Sequence, residues 1–224
     1  MDKRLKNVLK FYVLATQLKD KIRSGWDDEH WNISKERRES VAEHVYSACM
    51  LAIAMDSEFE TNLDIKKVVM MLVLHELGEV EIGDITPFDG VSREEKVRME
   101  REAIRRMLGD LVKGEEYYDL LLEFDDKKTK EAIFAYYCDK MDADLQAKIY
   151  QDMGCQNPLG EQENNVAFKD ERVQEIIKDG GVKQVFDIWY EFNRPVYRDN
   201  ENFARLLDYV KGVDTRGIVD SCKE

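Results

Sequence analysis

An all-α bundle is the fold class that the sequence predicts, and three observations predict it. Strand-like alternation is scarce, glycine and proline number only 12 and 3 in 224 residues, and apolar residues recur at steps of three and four. With 43% apolar residues the chain can bury one sizeable core, and no linker demands a second domain. The expected organisation is one helical domain over 1–224, with a motif-bearing core at about 5–150 and a C-terminal helical extension at about 168–224.

Each element follows from local pattern. Leu5, Val8, Leu9, Tyr12, Ala15, Leu18 and Ile22 keep helical spacing, which predicts a first helix packing that face inward. Gly25 breaks it before a polar loop at 27–38. Trp26 and Trp31 read either as core anchors or as the floor of a ligand pocket. Ser40 and Glu43 match the S-x-x-E capping box, so a second helix starts there, with Val41, Val45, Ala48, Ala52 and Met55 inward and His44 one turn from its N-terminus. Asp64 opens a central helix that is apolar without interruption from Val68 to Leu74, after which His75, Glu76, Glu79, Glu81 and Asp84 follow in quick succession. If that helix continues, His75 and Glu79 share a face at i,i+4 and Glu76 stands about 100° round from His75. Buried charges are costly unless paired or bound to metal, so this stretch asks for a cation.

Residues 83–90 form a loop rich in turn residues. Ser92 and Glu95 give a second capping box, opening a charged helix that ends near Gly109 and whose charge run reads as a solvated face. A short helix at about 117–124 precedes a long one at about 129–153. In the latter Asp139 and Asp142 share a face, while Asp144 and Lys148 read as an exposed i,i+4 pair. Gly154 ends it, residues 156–169 read as a surface loop, and two amphipathic pieces follow, through Val185 to Phe192 and Phe203 to Val210. Their expected work is closing the core or making a subunit contact.

A formal net charge of −13 argues against nucleic acid or anionic lipid as a partner, since both are polyanions. No run approaches 18 apolar residues, so no membrane span is expected, and the N-terminus carries no signal-peptide core. Cys49, Cys138, Cys155 and Cys222 are scattered without a C-x-x-C pair, which fits reduced thiols and a cytoplasmic setting.

A histidine, a His-carboxylate pair and a distant aspartate occur in order, as Glu39-Ser40-Val41-Ala42-Glu43-His44, His75-Glu76-x-x-Glu79 with Gly83-Asp84-Ile85-Thr86-Pro87, and Asp139-Lys140. On these motifs, over residues 5 to 150, the chain resembles the HD-domain metal-dependent phosphohydrolases, and within them the 5′-deoxynucleotidase-like branch. The resemblance implies an HD-domain helical bundle in which His44, His75, Glu76 and Asp139 ligate one divalent metal. Mn, Co, Mg, Zn, Ni and Fe are not distinguishable from the ligands alone. The family's usual His-Asp is here His75-Glu76; glutamate keeps the oxygen donor and adds a methylene. By the same resemblance Glu79 is a general base or proton shuttle. Asp84 orients water, protonates the leaving oxygen or binds the sugar. Arg23 holds phosphate, and Trp26 packs against sugar or base.

The implied activity is removal of phosphate from (deoxy)nucleoside 5′-monophosphates by attack of a metal-activated water. Rival readings are a hydrolase of a larger nucleotide, triphosphate or alarmone, and a noncatalytic protein that binds metal and nucleotide. The partner implied is a small nucleotide, and the resemblance allows a homodimer.

Overall fold

Side-chain caps set where several of the helices begin. A computed structural model describes residues 2–26, 30–34 and 38–221, the side chain of Asp220 apart; Cys222 and half of the 27–38 loop lie outside the described residues. Among these residues the chain is helical, with two isolated bridges, Ile22 to Ser40 and Ile33 to Gln156, in place of any sheet. It divides into two compact units, Met1–Ser24 with Glu39–Asp139, and Gly25–Arg38 with Lys140–Glu224.

The first unit begins with α1 (Lys3–Ala15), capped by Asp2. Here the expectation for its inward face is corrected. Leu5, Val8, Leu9 and Tyr12 are each more than 60% exposed, while Phe11, Leu14 and Ala15 pack against a core that contains Leu18. At 100° per residue the two stripes lie roughly 130° apart on the helix, and spacing alone could not say which one faces in. Next, α2 (Val41–Phe59) starts at Ser40 with both halves of the capping box formed: Glu43 N–H donates to Ser40 Oγ at 3.2 Å and Ser40 N–H to Glu43 Oε2 at 2.9 Å. Val41, His44, Ala48, Ala52 and Met55 are buried, and Val45 is half-buried.

Asp64 caps α3 (Ile65–Leu74), whose Val68, Met71, Leu72 and Leu74 are buried. The helix stops there. His75 is its C-cap, residues 75–78 form a tight turn, and α4 (Glu79–Ile82) is a single turn. The helical continuation that would put His75 and Glu79 at i,i+4 on one face is therefore replaced by two i to i−3 bonds, Leu77 N–H to Leu74 O at 3.1 Å and Glu79 N–H to Glu76 O at 3.0 Å. Ser92 caps α5 (Arg93–Leu108), which precedes α6 (Gly114–Asp126) and α7 (Lys130–Asp152). Leu18, Val41, Leu74, Leu77, Ile104, Met107, Leu108, Tyr118 and Leu121 make the core of this unit.

The second unit takes up α7 from Lys140 and adds α8 (Glu171–Lys178), α9 (Val185–Asn193), α10 (Glu201–Lys211) and α11 (Thr215–Ser221). The expected pair Asp144–Lys148 is not formed and not exposed; both side chains are buried. Asn193 and Tyr197 donate to Asp144 at 2.5 and 2.6 Å, and Lys148 turns to Asp152 at 2.5 Å. Residues 156–169 are more than a surface loop, because Gln162 and Asn165 are buried there. Gln162 donates to the Asn157 carbonyl at 3.0 Å and accepts from Asn165 at 2.9 Å, so their amides replace water for one another and for the backbone. Trp26 and Trp31 are both buried core anchors, with Trp26 stacked on Trp189 at 4.9 Å and edge-on to Tyr150 at 5.2 Å. Cys49, Cys138 and Cys155 are buried thiols outside any disulfide, and no helix of the described residues is long and apolar enough to cross a membrane.

Candidate metal centre

Four elements of the first unit supply the centre. The Ser40 cap sets the start of α2 and thereby the depth of His44, one turn in and fully buried. The C-cap of α3 and its turn present His75 and Glu76, and α7 presents Asp139. The four donor atoms lie within 4.8 Å of one another and all four residues are buried. His44 Nε2 is 3.2 Å from Asp139 Oδ1 and 3.5 Å from Glu76 Oε1, while His75 Nε2 is 3.2 Å from Glu76 Oε1 and 3.6 Å from Asp139 Oδ1.

Three helices and a turn, far apart in sequence, thus aim two imidazoles and two carboxylates at one point. His75 decides the chemistry. Its Nδ1 lies 2.7 Å from the Leu72 carbonyl, which accepts from an N–H there and fixes the tautomer with the Nε2 lone pair facing inward. Nε2 is buried without a hydrogen-bond partner. A nitrogen facing carboxylate oxygens calls for a cation between them, a proton or a metal ion, and the donor set of two nitrogens and two oxygens suits a divalent transition ion or zinc. Burial pushes the His75 imidazole down, but Glu76 foremost and then Asp139 draw its pKa up to about 9. Burial would raise the Glu76 carboxyl, yet His75, His44 and Arg23 hold it well below the usual range. Both shifts report a pocket that favours positive charge.

Arg23 and Asp84 border this point. Residues 21–23 pair antiparallel with 39–41, through Val41 N–H to Lys21 O at 2.7 Å and Arg23 N–H to Glu39 O at 3.0 Å. That bridge brings Arg23 beside the start of α2. Its guanidinium donates to Glu76 Oε1 at 3.2 Å and stands 3.9 Å from Asp84 Oδ2. Burial works against its charge, and Asp84 followed by Glu76 outweighs burial, so Arg23 is held protonated. Ser24 clamps Asp84 through its N–H, at 2.8 Å to Oδ2, and its hydroxyl, at 2.6 Å to the Asp84 carbonyl.

Glu79 is 1% exposed and neither of its oxygens accepts a hydrogen bond. Burial first, then Glu76 and Asp84, pushes its carboxyl well above the usual range. A carboxyl so placed binds a proton more readily than an exposed one, which suits a general base or shuttle. Of the eight candidate residues, seven lie in this unit, and Trp26 belongs to the other. Lys96, whose ammonium lies 3.9 Å from Glu79 Oε1, carries no signal in the sequence, because it sits in the charged run of α5 and nothing local distinguishes it from its neighbours.

Comparison with known proteins shows the family. A family model described as HD domain matches residues 15–179. The 5′-deoxynucleotidase HDDC2 of Dictyostelium discoideum is 34% identical over 154 residues, 66% of this chain and 79% of that protein. The protein of the same name from Homo sapiens is 31% identical over 150 residues, 66% of this chain and 70% of its own length. Among solved structures, a "Predicted metal-dependent phosphohydrolase" from Magnetospirillum magnetotacticum is similar in fold, with a TM-score of 0.62 over 97% of this chain and 96% of that one at 22% identity.

Proposed function

The chain belongs to the HD-domain family, and from that premise we propose that it is a metal-dependent phosphomonoesterase releasing phosphate from (deoxy)nucleoside 5′-monophosphates. The observation that carries this reading is the convergence of two imidazole nitrogens and two carboxylate oxygens within 4.8 Å in a buried pocket. His44, His75, Glu76 and Asp139 would hold one divalent ion there. When bound, such an ion supplies Lewis acidity toward water and toward a phosphoryl oxygen.

The chain's own residues supply the rest. Arg23, pinned beside α2, offers donors of its planar fork to a phosphate while remaining paired with Glu76. Glu79 takes up the proton of the attacking water. Asp84, fixed by Ser24, orients that water, protonates the leaving 5′ oxygen or receives the sugar hydroxyl. For Trp26 we propose packing against sugar or base on the resemblance alone, and Trp26→Phe tests it through KM. A homodimer and a cytoplasmic setting complete the proposal; light scattering checks the first.

The experiment is phosphate release from a panel of nucleotides by chelated protein to which Mn, Co, Mg or Zn is added back singly. Release from 5′-monophosphates with at least one ion is the expected result. Silence with every ion, or release confined to triphosphates, overturns the proposal.

A further inference from the structure

Lys96 closes the first turn of α5, beside charges that serve the surface. Arg98 pairs in the open with Glu95 at 2.6 Å and Glu102 at 2.7 Å, all three side chains about half exposed. Lys96 is 28% exposed and turns the other way. Its ammonium donates to the Ile85 carbonyl at 2.8 Å and lies 3.4 Å from Glu100 Oε1 and 3.9 Å from Glu79 Oε1. Gly78 makes this approach feasible. A Cβ at that position would stand 3.0–3.1 Å from the Cα, Cβ and carbonyl oxygen of Glu100, so α5 passes close to the 75–78 turn because no side chain intervenes.

We propose that Lys96 is a positioning residue for Glu79. An ammonium has three donors and no acceptor; the Ile85 carbonyl takes one, and Glu100 and Glu79 lie where the other two can reach. At 3.9 Å the Glu79 contact is an ion pair, and about 1 Å of movement by a flexible four-carbon stem makes it a hydrogen bond. Arg23 also bears on the charge of Glu79, but its guanidinium is engaged by Glu76 and Asp84. Lys96 therefore holds the otherwise undonated Glu79 carboxylate in the orientation from which it accepts a proton. The inference rests on the reading of Glu79 as base or shuttle.

The test measures kcat, KM and metal content for wild type, Lys96→Met and Lys96→Arg, together with thermal unfolding of Lys96→Met, Glu79→Gln and the double variant. Lys96→Met is expected to lower kcat about 10-fold or more, a part of what a general base contributes, with KM within about threefold and metal content unchanged. Lys96→Arg recovers part of the loss, and on the Glu79→Gln background Lys96→Met costs little further. A wild type that turns over beside a Lys96→Met variant with full kcat overturns the positioning role and leaves the phosphatase reading intact. A change confined to KM also overturns it, because the lysine then binds substrate. If wild type releases no phosphate from any nucleotide, the phosphatase reading falls; additive melting shifts in the three variants then overturn the Lys96–Glu79 coupling, and non-additive shifts uphold it.

Discussion

Helix α7 carries carboxylates in both units, and the chain treats them in opposite ways. Toward the C-terminal end, in the second unit, Asp144 is fully buried but accepts hydrogen bonds from Asn193 and Tyr197, and Asp152 accepts from Lys148 and from Thr215 N–H and hydroxyl at 2.8 Å. In the first unit, Asp139 Oδ1 faces the Nε2 atoms of two histidines, with Glu76 beside it and Glu79 nearby without a donor. Buried charge that the protein satisfies with its own donors is architecture. Buried imidazoles and carboxylates turned toward one another favour a bound cation, and that difference marks a candidate site without reference to any motif.

The largest test of this contrast is to remove one carboxylate from each set. Asp139→Ala is expected to weaken Mn or Co binding by at least about 100-fold, beyond what losing an outer-shell partner costs, and to abolish phosphate release. Asp144→Asn should leave metal binding within about threefold; titration calorimetry of the two variants reads both. A comparable loss in Asp144→Asn would erase the distinction between the regions.

Within the first unit, Glu79→Gln separates chemistry from metal capture. Loss of a general base lowers kcat by about 10²–10⁴-fold. Metal content by elemental analysis should stay at the wild-type level, since Glu79 is outside the group of four. Loss of the metal together with turnover would move Glu79 into the ligand set.

The smallest expected effect concerns stability. Burial, opposed by the hydrogen bonds from Tyr197 and Asn193, pushes the Asp144 carboxyl from 3.8 up to about 7. The folded state then keeps a proton up to about pH 7 that the unfolded chain releases near pH 4, so stability falls as pH rises through that window. At 1.36 kcal/mol for each pH unit, the contribution is on the order of 1–4 kcal/mol. Asp144→Asn removes it, and melting of the variant should depend less on pH between 5 and 8 than melting of wild type. Equal slopes would show that Asp144 is already ionised in the fold.

Much of the helical layout is legible in the chain because caps are local. Ser40 with Glu43, Asp64, Ser92 and Gly109 announce helix ends through groups within a few residues of one another. The His-Glu pair and the distant Asp139 are legible as a set because charged residues inside apolar periodicity are costly and therefore rare. Less was legible wherever the partner is remote. The pattern of α1 does not say which of its two stripes faces in, and Asp144 and Lys148 look like neighbours on a solvated face until Asn193, Tyr197 and Asp152 are seen to claim them.

By itself, the sequence determined an all-helical chain, the starts of α2, α3 and α5, and the side chains able to hold a cation. Tertiary structure alone decided that α3 stops at Leu74, that His75 donates to Leu72 and so turns its other nitrogen inward, and that Gly78 admits α5 with Lys96 to the side of Glu79. The physical reason is range. Caps and periodicity act over one or two turns of a single segment, whereas the direction of a lone pair and the approach of a distant ammonium depend on how segments dozens of residues apart come to lie against each other.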